Sequence, residues 1–400
     1  MIGRRQQVAL VLTAVLAAGA ACQNQNHNQH QDTGAPGPAV SPAPAPSSGT
    51  GGFTLVASGD IRPHASVTER AAYDAGGNGY DFRPMLSGIR PVVSGAGLAL
   101  CHLATVYGTD APGTNAPAAN APGTGQTVRT TPSRLARDLA ETGYDGCATA
   151  TGHALDDGAD GVRRTLDALD AAGLRHAGTA RGEAEARSVV LFRAGGAEVA
   201  HLSYTAGTDR PLPPGQPWAV NPIDADRILA DARAARRGGA DVVVVSLDWG
   251  TEGQDEPDRV QLTLAQRLTA SATDGHPDID LILGARTRVP QPYEKVNGTW
   301  VVYGLGDQIA GGPDGGQAPD PRTGQSTLGR FAFAPPVRPG EPWRVTRAEF
   351  VPALYDLDAG RVVDLGRAIA QGAELEAVRD RIRDVVLSRG AAQDGLVMAE

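Results

Sequence analysis

Aromatic residues make up only 4% of this chain, and Lys and Arg never run beyond pairs such as Arg236-Arg237. Without basic clusters, and with a formal net charge of -9, the chain lacks the positive field that a nucleic-acid partner requires. No internal repeat recurs at solenoid or propeller periods, which excludes a stacked array. The apolar run from Val8 to Ala18 is too short for a membrane span. What is abundant is Gly (51) and Pro (29), so much of the chain must be loop or turn. At 400 residues, 41% hydrophobic, it can still bury the core of one large domain or two small ones.

The N-terminus has a basic start at Arg4 and Arg5, the apolar run, and a small-residue cluster from Ala18 to Ala21 before Cys22. That order is a secretory signal peptide over residues 1–21. Cys22 after small residues is similar to a bacterial lipoprotein processing site, so it is the expected lipidation residue and the membrane anchor, with plain secretion as the alternative. Residues 22–52 are Gln/Asn-rich and then Pro/Ala-rich, with too little apolar surface to offset ordering, and are read as a disordered tether. Cys101 and Cys147 could pair in an oxidising compartment or stand as two small buried thiols.

The folded part should begin at Phe53. FTLVASGD, LALCHL, DGCATA, VVVVSL and DLILG read as strands, and SVVLFRA and AEVAHLSY, joined by Gly195-Gly196, read as a hairpin. Helical spacing marks Leu135 with Leu139, Val162 with Leu166 and Leu169, and Val260 with Leu264 and Leu268. An insert from about Thr109 to Thr130 carries Ala-Pro-Gly-Thr twice. After two late strand candidates, a charged helix is expected from about Gly366 to Ser388. Alternating helices and strands flanked by hairpins indicate an α+β fold, with a domain over 53–356 and a C-terminal helical extension over 357–400.

Polar clusters close several strands, where such sheets usually place their chemistry. They are Gly59-Asp60, His102-Leu103-Ala104, Thr151-Gly152-His153 with Asp156, Asp248-Trp249-Gly250-Thr251-Glu252, Gly284 to Val289 with Gln291-Pro292, and Tyr303 to Gln308. In this order they resemble the motifs of the CapA-type proteins, associated with poly-γ-glutamate capsule synthesis, which look like members of the calcineurin-like metallophosphoesterase superfamily. The resemblance implies a four-layer αββα sandwich with a metal centre at the strand ends.

It also implies roles. Asp60, His102, His153 and Asp248 take the positions of metal ligands, and His153 with Asp156 those of catalytic residues. Two family histidines are replaced by Arg286 and Arg288, which stay protonated and cannot coordinate metal. The expected cofactor is therefore one divalent ion (Mn, Zn or Fe) or none, and the two arginines become candidate anion-binding residues. The function implied is that of a cell-surface protein of capsule or poly-γ-glutamate synthesis or export, with a degenerate metal site and little or no phosphoesterase activity. A weak one-metal hydrolase of the envelope is the alternative. The partner class is an anionic polymer or another cell-envelope component.

Overall fold

The strand VVVVSLD (Val242–Asp248) is apolar on both faces, so both faces must be covered. In the computed structural model they are. Val242 and Val244 point into a core shared by two sheets, whereas Val243, Val245 and Leu247 point into a second core packed by helices. Phe53–Arg62 does the same on the other side: Leu55 and Ala57 face the shared core, and Val56 and Ile61 face helices. Two sheets back to back, each with an outer helical layer, make the expected four-layer α+β sandwich. The structure describes residues 51–108, 130–311, 320–338 and 340–399. The signal peptide, Cys22, the tether up to residue 50 and the insert between 109 and 129 lie outside them. Among the described residues, no helix is long and apolar enough to cross a membrane.

The first sheet orders Arg361–Asp364, Arg344–Asp356, Gln325–Ala334, Phe53–Arg62, Leu98–Leu103, Gly146–Ala148 and Arg175–Ala177. Asp307–Ala310 pairs additionally with Phe53–Arg62, and Leu396–Met398 with Arg344–Asp356. The second sheet orders Tyr293–Val296, Thr299–Val302, Leu281–Ala285, Val242–Asp248, Ala197–Thr205 and Val190–Ala194. Its last two strands form the hairpin expected around Gly195-Gly196. The central strands of both sheets run parallel, so their C-terminal ends collect at one edge of the sandwich.

Two glycines set how closely these ends can approach. A Cβ at Gly59 would lie 1.9 Å from the Gly306 carbonyl oxygen, and one at Gly284 would lie 2.0 Å from that of Tyr303. Neither position admits a side chain without moving backbone.

The C-terminal region departs from the sequence reading. Instead of one helix there are two, Leu365–Ala370 and Glu376–Leu387. They are separated around Gly372, whose φ of +95° is left-handed and ends the first. The region also supplies the strands Arg361–Asp364 and Leu396–Met398 to the first sheet, so it is part of the sandwich rather than a purely helical extension. Cys101 and Cys147 sit opposite each other on neighbouring parallel strands and form a disulfide across a sequence separation of 46. Replacing both by Ala is expected to lower stability by about 3 kcal/mol through the longer unfolded loop. A chemical-denaturation midpoint unchanged from the wild type would contradict that role.

Candidate functional site

The parallel register fixes the first pair. Asp60 ends one strand and His102 is its partner on the next, with His102 Nδ1 2.7 Å from Asp60 Oδ1 and both side chains buried. The geometry is that of a charge contact rather than a directed hydrogen bond. Burial alone would push the His102 pKa down. The charge of Asp60, its close contact, the charge of Asp248 and the Ala150 backbone outweigh burial and raise it above the ordinary histidine value.

From the facing sheet comes Asp248, opposite Thr205 on one neighbour and Ala285 on the other. Its Oδ2 accepts hydrogen bonds from Thr205 Oγ1 (2.6 Å) and the Gly152 amide (3.1 Å). Arg286 Nη1 donates to the same oxygen at 3.2 Å. Burial is the main influence on Asp248 and raises its pKa; His102, Thr205 and Arg286 oppose it, while Asp60 adds to it. The Arg286 amide donates to Asp60 Oδ2 at 2.9 Å. One residue therefore touches the carboxylates of both sheets, through its main chain on one side and its guanidinium on the other.

Arg286 and Arg288 both have left-handed backbones, with φ of +81° and +62°, a conformation uncommon for residues with side chains. Three contacts hold the turn: the amide bond to Asp60, the Gly253 amide donating to the Thr287 carbonyl (2.9 Å), and Thr287 Oγ1 donating to the Val289 carbonyl (2.9 Å). Arg288 Nη2 pairs with Glu252 at 2.7 Å. Trp249 is buried beneath the site, and its Nε1 donates to the Tyr303 carbonyl, so it is core rather than a contact residue.

His153 and Asp156 lie at the mouth of the same cleft. His153 Nδ1 is 3.0 Å from Asp156 Oδ2 and 3.3 Å from Asp209 Oδ2. Ionised carboxylates only accept, so Nδ1 is the donor in both contacts. Asp209 was missed in the sequence, where it sits in a loop with no motif around it.

Asp60, Asp248, His153, Arg286 and Arg288 thus converge in one cleft of about 20 Å³, enough for about one water. The four expected metal ligands converge with them but do not form a ligand set. Among the described residues, the group whose donor atoms come within 4.8 Å of one another is His153, Asp156 and Asp209. Between the sheets, Arg286 contacts the carboxylates of Asp60 and Asp248, while the buried His102 Nε2 has no hydrogen-bond partner among the described residues.

Asp307, in the Tyr303 to Gln308 cluster, is buried opposite Asp60 in register. Its Oδ1 has no hydrogen-bond partner among the described residues. Burial, and then the charge of Asp60, raise its pKa well above the ordinary value, with Arg62 and Arg288 opposing.

Fold and cleft define a two-sheet α+β sandwich protein with a charged site at the C-terminal ends of its parallel strands. Residues 54–312 match the family described as "Bacterial capsule synthesis protein PGA_cap", and the chain belongs to that family. It is 26% identical over 175 residues to the capsule biosynthesis protein CapA of Bacillus anthracis, a stretch covering 43% of this chain and 41% of that protein. It is 28% identical over 164 residues to the PGA biosynthesis protein CapA of Bacillus subtilis, covering 40% and 41%. The chain thus spans less than half the length of these curated relatives. Among solved structures, the calcineurin-like phosphoesterase YfkN from Bacillus subtilis is similar with a TM-score of 0.41 at 15% identity, covering 76% of this chain and 90% of that one.

The folded Asp307 carboxyl keeps its proton to higher pH than the unfolded one, whose ordinary value is 3.8. As pH rises through and beyond 3.8, the unfolded chain ionises first, and the loss of stability from Asp307 grows until it ionises in the folded state too, after which the loss stays constant. Asp307→Asn, which mimics the protonated form, is expected to gain stability over the wild type progressively from pH 4 upward. Urea unfolding at several pH values measures this, and a pH-independent difference would refute it.

Proposed function

We propose that this protein takes part in assembly or export of an anionic capsule polymer of the poly-γ-glutamate type. In this reading its cleft binds an anionic group of the polymer, or of another cell-envelope component, without a metal and with little or no phosphoesterase turnover. The carrying observation is Arg286, which contacts Asp60 Oδ2 through its amide and Asp248 Oδ2 through its guanidinium. A cation in this family's site would neutralise those carboxylates; here a tethered guanidinium does so. Arg288 lies beside it, partly exposed and paired with Glu252, a surface contact that an incoming carboxylate can exchange at small cost.

The protein's work would then be recognition and positioning. Arg286 and Arg288 orient the bound group through guanidinium forks. His153, held through Nδ1 by Asp156 and Asp209, keeps Nε2 available for a proton. The N-terminal sequence supports a location outside the cytoplasm with Cys22 as the lipidated residue, and the Cys101–Cys147 bridge is consistent with an oxidising compartment.

A second reading, a one-metal hydrolase, is favoured by the His153, Asp156 and Asp209 group. A divalent ion held there would polarise a phosphoryl oxygen. Elemental analysis of protein purified with Mn, Zn and Fe present separates the two readings. We expect well under one equivalent of any of them, and no metal-dependent cleavage of a generic phosphomonoester. Poly-γ-glutamate fragments should bind the wild type, and Arg286→Gln/Arg288→Gln should weaken that binding by roughly tenfold, about 1.4 kcal/mol. A stoichiometric metal with turnover abolished by Asp209→Ala would establish the second reading instead.

A further inference from the structure

A cavity of about 650 Å³ lies at the edge of the sandwich, between the strands Arg175–Ala177 and Ala197–Thr205, and shares no lining residue with the cleft. Its volume suits an organic ligand of some tens of atoms. Two of its lining side chains have unmet hydrogen-bonding capacity. Ser203 and His201 are each 1% exposed, and neither Ser203 Oγ nor His201 Nδ1 has a partner among the described residues. A buried hydroxyl without a partner costs about 1–3 kcal/mol, so two such groups at one cavity are unusual unless something else satisfies them.

The rest of the cavity suggests what that is. His201 Nε2 contacts Ser246 Oγ at 2.8 Å, and burial, with the charge of His102 adding to it, pushes its pKa down to about 3. The ring is neutral, so its free nitrogen offers a hydrogen bond and no charge. The rim is amphoteric: Arg175, Arg181, Arg187 and Arg227 stand against Asp170, Glu185 and Asp231. Arg181 is bound by Asp170 and Glu185, and Arg227 by Asp231 and Asn221. Arg175 stacks over the Phe192 ring, with no carboxylate within ion-pair distance among the described residues. Arg187 is paired with Glu183, and Arg181 also with Asp167, so the rim carries no surplus positive charge and Arg175 is the arginine left without an acidic partner. One such guanidinium above a neutral floor matches a carboxylate accompanied by amide or ammonium groups better than a phosphate dianion.

We propose that this cavity is a second ligand site, which takes an amino-acid-type carboxylate with its carboxylate on Arg175 and its hydrogen-bonding groups on Ser203 and His201. Ser203 lies two residues, roughly 7 Å along the strand, before Thr205, which donates to Asp248 of the cleft. A glutamyl chain end is the ligand that the family suggests. That choice rests on the polymer-handling reading above; the cavity's chemistry does not.

The test is calorimetry with γ-glutamylglutamate as the probe and inorganic phosphate as the competitor, run on the whole protein carrying Arg288→Gln, which removes the cleft's exchangeable cation and leaves Arg286 on Asp60 and Asp248. We expect binding that Arg175→Glu and Ser203→Ala each weaken roughly tenfold and that phosphate does not displace. Ser203→Ala should also leave the ligand-free protein as stable as its parent or more so, since it removes an unsatisfied hydroxyl. No detectable binding in the parent, binding indifferent to both substitutions, or displacement by phosphate would each overturn the proposal. The cleft reading fails separately, if polymer fragments bind the wild type and Arg286→Gln/Arg288→Gln equally.

Discussion

Neutralising Asp60 and Asp248 is the constraint on which the rest of the site depends. They stand near the C-terminal ends of strands from opposite sheets, buried, and their like charges face one cleft. Unpaired, either would cost several kcal/mol. Arg286 meets both, while His102 sits against Asp60. The left-handed backbone of Arg286 follows from this, because it lets one residue present its amide to one carboxylate and its side chain to the other. Even the close approach of Gly59 to Gly306 belongs to the same arrangement, since it brings Asp307 into register with Asp60.

Most of the sandwich was legible in the sequence because burial leaves a pattern. Residues Val242 to Leu247 are apolar throughout because both faces are covered, and Gly195-Gly196 marks a hairpin because its turn needs φ values that glycine adopts without penalty. The split of the C-terminal helix was less visible, as Gly372 is a weak break within a charged, periodic stretch. Convergence of Asp60, His153, Asp248, Arg286 and Arg288 was also legible, from strand-end position and family order. What each would touch was not. Pairing between sheets is set by tertiary geometry, so nothing local to Asp209 indicates His153, and nothing in Gly306-Asp307 shows that its carboxyl is buried.

The two unpartnered atoms at the edge cavity come from the same alternation that builds the core. Along Ala197–Thr205, every second residue enters the space between the sheets: Ala197, Val199, His201, Ser203 and Thr205 in turn. The first two belong there by hydrophobicity. The progression from apolar to polar along one strand makes the inter-sheet space dry at one end and hydrogen-bonding at the other.

The tether on Arg286 has one more consequence. A metal ion seeking Asp60 and Asp248 would face a rival that never diffuses away, because the guanidinium is joined by its own backbone to the site it fills. Dilution lowers the concentration of a free cation and leaves that of the arginine unchanged. The charge balance of this carboxylate pair is thus supplied from within the chain, at a local concentration set by the fold rather than by the surroundings.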